Sequence, residues 1–144
     1  MKSVVELDIK VRQARLAELF TDTKRNPEWM DDLERIEPIS GDLGEPGSTY
    51  RLVPKRGKLT FVARVISRKV PTEARLILDA PSVSVFVTGR FLALSEETTR
   101  LVSEEIFSFK GIIGPLLGFF ARGAIKGAHR RHMESFKRFA ERQA

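Results

Sequence analysis

Few side chains in this 144-residue sequence could do chemistry, and their types narrow the choice at once. There is no cysteine, which excludes disulfide scaffolds, thiolate metal sites, cysteine nucleophiles and thiol redox reactions. Imidazole comes only from His129 and His132. Three residues apart they can share a helical face, but no acidic or histidine neighbour completes a metal set and the run Gly127 to His132 is basic, so no metal is expected. Ser103 and Ser108 lack a glycine elbow and an evident His and Asp pair, and no catalytic residue is assigned. No phosphate loop or dinucleotide fingerprint is found, and no cofactor is expected. Glu105 remains. Strand alternation groups it with Leu101, Phe107 and Phe109, and burial there would raise its pKa and suit it to hydrogen-bond a ligand hydroxyl or carbonyl. Two alternatives stand beside this: a register shift of one residue turns Glu104 inward, or Glu105 pairs with Arg90 as a structural salt bridge.

The elements that must position these groups are legible as changes of period. Residues 4–11 (VVELDIKV) alternate apolar and charged side chains, the pattern of a half-buried strand. Residues 13–20 then place Leu16, Leu19 and Phe20 at helical spacing. Asn26-Pro27-Glu28 reads as the start of a second short helix carrying Trp29 and Met30. Turn residues next divide the chain into β-rich runs over 33–40, 48–54, 58–69, 73–80, 83–95 and 98–109, an antiparallel meander. From Gly114-Pro115 to about Arg142 the period is helical again. Leu117, Ala121, Ala124, Ile125, Ala128, His132, Phe136 and Phe139 form one broad stripe. No repeat or linker interrupts the chain, so residues 1–144 read as one domain.

A helix laid across a curved sheet is the arrangement that buries both apolar faces. The order of elements resembles the helix-grip fold of the START-like, or SRPBCC, superfamily, and its polyketide cyclase/dehydrase-like branch most of all. The resemblance covers nearly the whole chain. It is carried by Pro27-Glu28-Trp29, by the turn Gly44-Glu45-Pro46-Gly47-Ser48-Thr49-Tyr50, by Val65 to Pro71, by Thr88-Gly89-Arg90-Phe91, and by Thr99-Arg100-Leu101 ahead of Gly111 and the last helix. It implies an α+β fold with a seven-stranded curved antiparallel sheet, two short helices after the first strand and a long C-terminal helix packed across the sheet. It also implies an internal cavity for a hydrophobic small molecule such as a lipid, quinone or polyketide, without choosing among them.

Alternation assigns an inner face to Leu59, Phe61, Ala63 and Val65, to Leu76 and Leu78, to Val85, Val87, Gly89 and Phe91, and to Leu101, Ser103, Glu105, Phe107 and Phe109. A bulge would invert part of it. The expected ligand-binding set is Trp29, Phe61, Leu76, Leu78, Phe91, Leu101, Glu105, Phe107, Leu117, Phe120 and Ala124. The small residues Gly89, Ala63 and Ser103 argue for space there, and a filled core is the competing reading. Glycines at 111, 114, 118, 123 and 127 serve either close packing or a deformable gate at the start of the helix. An outer face of Val62, Ile66, Phe86, Leu92, Leu94, Val102 and Ile106 is unusually apolar, so either bulges redistribute it or it forms a homodimer contact.

The charge is localised. From Lys110 onward there are eight Lys or Arg against Glu134 and Glu141, which accounts for the whole net charge of +6. That basic helix faces water or, with Phe119 or Phe120 beside it, docks peripherally on an anionic membrane. Nucleic acid is not expected, because no exposed Tyr or Trp interleaves the basic residues. The N-terminus lacks the apolar core of a signal peptide and Ile112 to Ala121 is too short to span a bilayer, so a cytoplasmic protein is expected. Three functions compete: a noncatalytic carrier of a hydrophobic molecule, a cyclase or dehydratase in which a buried acid and a histidine move protons, and a filled module that docks on membrane or protein.

Overall fold

The computed structural model describes residues 1–56 and 59–143. Seven strands run in the order β1 (Lys2–Ile9), β2 (Leu33–Ser40), β3 (Thr49–Pro54), β4 (Phe61–Lys69), β5 (Glu73–Asp79), β6 (Val83–Ala93) and β7 (Thr99–Phe109). Helix α1 (Gln13–Thr21) and a 3-10 helix (Thr23–Glu28) lie between β1 and β2, and helix α2 (Gly114–Arg142) follows β7. Strands β2 to β7 pair with their sequence neighbours. Strand β1 instead closes the sheet beside β7, giving the antiparallel order β1-β7-β6-β5-β4-β3-β2. This is the α+β helix-grip architecture expected.

Alternation decides the faces. Val5 and Ile9 are buried while Val4, Glu6 and Asp8 lie toward solvent, because period two sends successive side chains to opposite sides. On the concave side Leu16, Leu19, Trp29, Phe91 and Leu101 pack with Met133, Phe136 and Phe139 of α2. Phe136 is fully buried, and its ring meets Phe20 and Trp29 edge-on at 5.3 and 4.9 Å. Such aromatic pairs add about 0.5–1.5 kcal/mol each beyond the area they bury.

Several boundaries move. The first strand begins and ends two residues earlier than its pattern suggests, and Val11 is buried beyond its end. The segment before Trp29 is a 3-10 helix that ends at Glu28, so Trp29 and Met30 follow it, their amides both donating to Asn26 O. Pro27, which has no amide hydrogen, sits inside it. The expected start of β4 at residue 58 lies outside the described residues. Leu59 precedes the strand and is exposed rather than inward. Strand β4 carries a bulge between Val65 and Ser67, so alternation fails beyond Val65. The outer face is as apolar as alternation implies, with Val62, Ile66, Leu92, Leu94 and Ile106 all exposed.

The larger correction concerns α2. Its second half grips the sheet, whereas Leu117, Ala124 and Ala128 of the proposed inner stripe are exposed. The glycines explain part of this. A methyl group on Gly118 would overlap the Phe109 ring, and one on Gly114 would press on the Phe109 backbone at 3.1 Å. These two glycines let α2 leave β7 in close contact. A side chain at Gly123 would meet nothing within 4 Å. Gly118→Ala is therefore expected to destabilise the protein by about 1–3 kcal/mol through overpacking. Gly123→Ala should stabilise it by up to about 1 kcal/mol through helix propensity. Urea unfolding of both variants checks the contrast, and equal effects would refute it.

Candidate functional site

Between the 3-10 helix, strands β3 to β7 and the middle of α2 lies an internal cavity of about 80 Å³. Trp29, Met30, His132 and Met133 line its helical side, and Leu52, Val65, Leu76, Leu78 and Val87 line the sheet side. Glu105 is the one carboxylate on its wall among the described residues. Pairing of β7 with β1 fixes this orientation: Glu104 faces out and meets Lys2 at 3.2 Å, so its neighbour must face in. Arg90 is engaged by Glu73 at 3.4 Å, and Glu105 is not its partner.

Behind Glu105 is a closed polar cluster. The His129 ring is buried, with Nδ1 2.8 Å from Ser3 Oγ and Nε2 2.9 Å from Ser103 Oγ. A hydroxyl can donate or accept, so the two serines satisfy a neutral imidazole in either tautomer. Burial, followed by the charges of His132 and Arg130, pushes His129 down to about 4. Burial pushes the Glu105 carboxyl up to about 7. Glu105 Oε1 stands 3.7 Å from His129 Nδ1, beyond hydrogen-bond reach. With the acid raised and the base lowered, this contact joins two largely uncharged groups near pH 6 and is not an ion pair. Burial also lowers His132, against the opposing pull of Asp31 and Asp32.

Ser103, His129 and Glu105 thus come together, a grouping that sequence reasoning does not assemble. Ser103 and His129 are almost completely buried and neither reaches the cavity, so no substrate atom can approach the hydroxyl. The cluster holds the centre of α2 onto β1 and β7 and leaves Glu105 as its only member on the cavity wall. Among the described residues no group of three or more His, Asp or Glu is placed to hold a metal ion.

Of the expected ligand-binding residues, Trp29, Leu76, Leu78 and Glu105 line the cavity. Phe91 and Leu101 belong instead to the filled core under α2. Phe61 and Phe107 pack with Val83, Val85 and Val87 at the far end of the sheet. Leu117, Phe120 and Ala124 are exposed and do not line the cavity, because the first half of α2 does not cover the sheet there. The small residues do not make the space either. The Phe20 ring sits against Gly89, 2.9 Å from where a side chain would begin, and Ser103 is taken by His129. Sequence reasoning missed Tyr50, Asn26, Arg68 and Met133, which come together only through the curvature of the sheet and the β4 bulge.

The mouth is at the end of α1, not at the start of α2. A surface cleft of about 260 Å³ shares Thr21, Thr23, Gly44 and Arg68 with the cavity. Arg68 bridges this mouth, Nε donating to Thr21 Oγ1 at 3.2 Å and a terminal nitrogen to Glu45 Oε1 at 3.4 Å. The glycine-rich entry to α2 is accordingly a packing device rather than the cavity's gate.

No protein-family model matches the sequence, and no curated protein matches it. Solved structures do. A protein from Thermus thermophilus superposes with a TM-score of 0.80 at 15% identity, over 100% of this chain and 99% of the other. A START superfamily protein from Mycobacterium smegmatis gives 0.78 at 13%, covering 99% of each chain. The Zhui aromatase/cyclase from a Streptomyces species gives 0.76 at 16%, covering 99% of this chain and 94% of that one. The chain therefore has the helix-grip fold of these structures.

The raised acid makes a signed prediction. A carboxyl with pKa near 7 folded and near the ordinary 4.5 unfolded contributes stability that is complete below about pH 4.5 and lost as pH rises through 7. Glu105→Gln should leave stability at pH 4 nearly unchanged and raise it at pH 8 by up to roughly 3 kcal/mol relative to the parent. His129 acts oppositely, its contribution lost as pH falls from 6.5 through 4, and it is common to both proteins. Urea unfolding across that pH range reads the difference, and parallel curves would disprove the raised acid.

Proposed function

We propose that the protein binds a small, mostly apolar molecule bearing a hydrogen-bonding oxygen, and that Glu105 and Trp29 orient it. One observation carries this reading. The indole Nε1 of Trp29 is buried without a hydrogen-bond partner, and Trp29 lines the cavity on whose wall Glu105 is the one carboxylate among the described residues. Arg75 is engaged elsewhere, a terminal nitrogen donating to Glu73 Oε2 at 3.3 Å and Nε standing 3.0 Å from Glu73 Oε1. Buried polar groups are nearly always satisfied, each orphan costing about 1–3 kcal/mol. An unpaired indole N–H beside a carboxyl on an apolar wall calls for a guest with an oxygen that accepts from Trp29.

Size constrains the guest. An apolar cavity of roughly 150 Å³ holds benzene, so the inner chamber of about 80 Å³ admits only a smaller fragment unless side chains move. With the adjoining cleft the space just enters the range of about 300–1,000 Å³ usual for small-molecule sites. A short chain would lie against Trp29 and Leu78, its polar end on Glu105 and any remainder passing Arg68 into the cleft; a ring enters only where the flexible Met30 and Met133 side chains shift. A ligand-binding role agrees with the START-like neighbours, an aromatase/cyclase among them.

A second reading, acid–base catalysis of the cyclase or dehydratase kind, is favoured by one fact. Two titratable groups, Glu105 and His132, share the cavity wall. An acid near 7 is poised to give or take a proton at neutral pH.

Trp29 is the only tryptophan, so its emission reports the site alone. Titration with 2-naphthol or acetophenone is expected to change that emission with saturation. Val87→Phe, which fills the chamber, should weaken binding at least ~10-fold while preserving the fold. Arg68→Ala should speed both association and release by removing the bridge across the mouth. Native purification followed by solvent extraction and mass spectrometry should yield a stoichiometric small oxygenated compound. Empty protein with an unresponsive Trp29 would refute the binding reading. Turnover of that compound, abolished in Glu105→Gln with binding kept, would establish the second.

A further inference from the structure

We infer that the first half of α2, together with Lys55, Arg56 and Leu59, docks on the surface of an anionic lipid bilayer. The inference goes beyond ligand binding and stands without it. Ile112, Ile113, Leu116, Leu117, Phe119 and Phe120 fall within nine residues, and their exposures run from 56% for Phe119 to 101% for Ile112. A folded surface rarely shows so many large apolar side chains together without a partner. They occupy the approach and first two turns of α2. The next turns carry Arg122, Lys126, Arg130 and Arg131, and no Asp or Glu occurs between Glu105 and Glu134. At 1.5 Å per residue Lys126 is about 9 Å along the axis from Phe120. An apolar tip followed by a basic collar at that distance matches a bilayer boundary, where side chains enter about 5–10 Å and headgroup phosphates lie just above.

A second element stands at the same end of the sheet. Pairing of Val83 with Phe109, of Asp79 with Val62 and of Phe61 with Leu52 aligns the end of β7 with the start of β4. Lys55 and Arg56 are exposed there, and Leu59 is 51% exposed. Three strand spacings separate β7 from β4, about 14 Å, so both segments can meet one flat surface. Charge argues for lipid over a second copy of the chain. Lys110 is held by Asp79 and Arg130 reaches Glu134 at 3.8 Å, but Lys126 and Arg131 make no ion pair among the described residues. A two-fold contact through this patch would bring like-charged collars together, whereas anionic headgroups neutralise them.

Flotation of the 144-residue chain with vesicles tests this. Phosphatidylcholine vesicles containing phosphatidylglycerol should recover the protein at low salt and release it at high salt, and phosphatidylcholine alone should not recover it. Arg122→Glu with Lys126→Glu should lower partitioning by roughly fivefold or more for each charge reversed. Phe119→Ser with Phe120→Ser should abolish recovery while thermal unfolding stays unchanged, since both rings are exposed. Equal recovery by neutral and anionic vesicles, no recovery by either, or wild-type binding by the charge-reversed variant would overturn the inference. So would a dimer in sedimentation that Phe120→Ser dissociates, with no vesicle binding.

Discussion

Phe136 is where the structure is tied together. Its ring is enclosed by Phe20 from α1, Trp29 from the turn after the 3-10 helix and Phe139 from the next turn of α2, while Phe20 also meets Phe91 of the sheet at 5.4 Å. Four segments of the chain thus meet in one aromatic cluster. A curved sheet cannot bury its concave face alone, and this contact is what keeps the helical segments over it. The neighbouring cavity follows from the same geometry. Trp29, Met133 and His132 cannot close fully on Leu76 and Leu78 while Trp29 is held against Phe136, so a gap persists beside the most tightly packed part of the molecule.

The polar cluster at His129 is the second tie, and it works differently. Two serines on two strands satisfy one imidazole and fix the middle of α2 at a single register on the sheet. Beyond that point toward the N-terminus the helix has only Gly114 and Gly118 packed closely, both against Phe109. Firm hold at one end and a narrow contact at the other explain why the same helix is core along one half and surface along the other.

How much of this was legible follows from range. Strands, turns and the long helix are local patterns, and the helix-grip order could be read from their sequence. Glu105 facing inward was also legible, because alternation along β7 is unbroken. The site was less so. Phe91 and Leu101 share the inner face with Leu76 and Leu78, and nothing in period two distinguishes a position under α2 from one beside the gap. Gly89 looked like empty space because the ring that fills it, Phe20, is about 70 residues away. The helical stripe through Leu117 and Ala124 failed because a period records which residues share a face, not whether anything covers that face.

Strand β1 has one more consequence. It pairs only with β7, so Leu7 faces Leu101 and Ser3 faces Glu105 about 100 residues later. Every other strand finds its partner next in the chain. On a ribosome adding roughly 5–20 residues per second, β1 spends about 5–20 s with its apolar face unclaimed. The meander can assemble strand by strand meanwhile, but the sheet is finished by the first strand made. That delay makes Val5, Leu7 and Ile9 the segment of the nascent chain most in need of shelter, and it is also the segment that α2 finally covers.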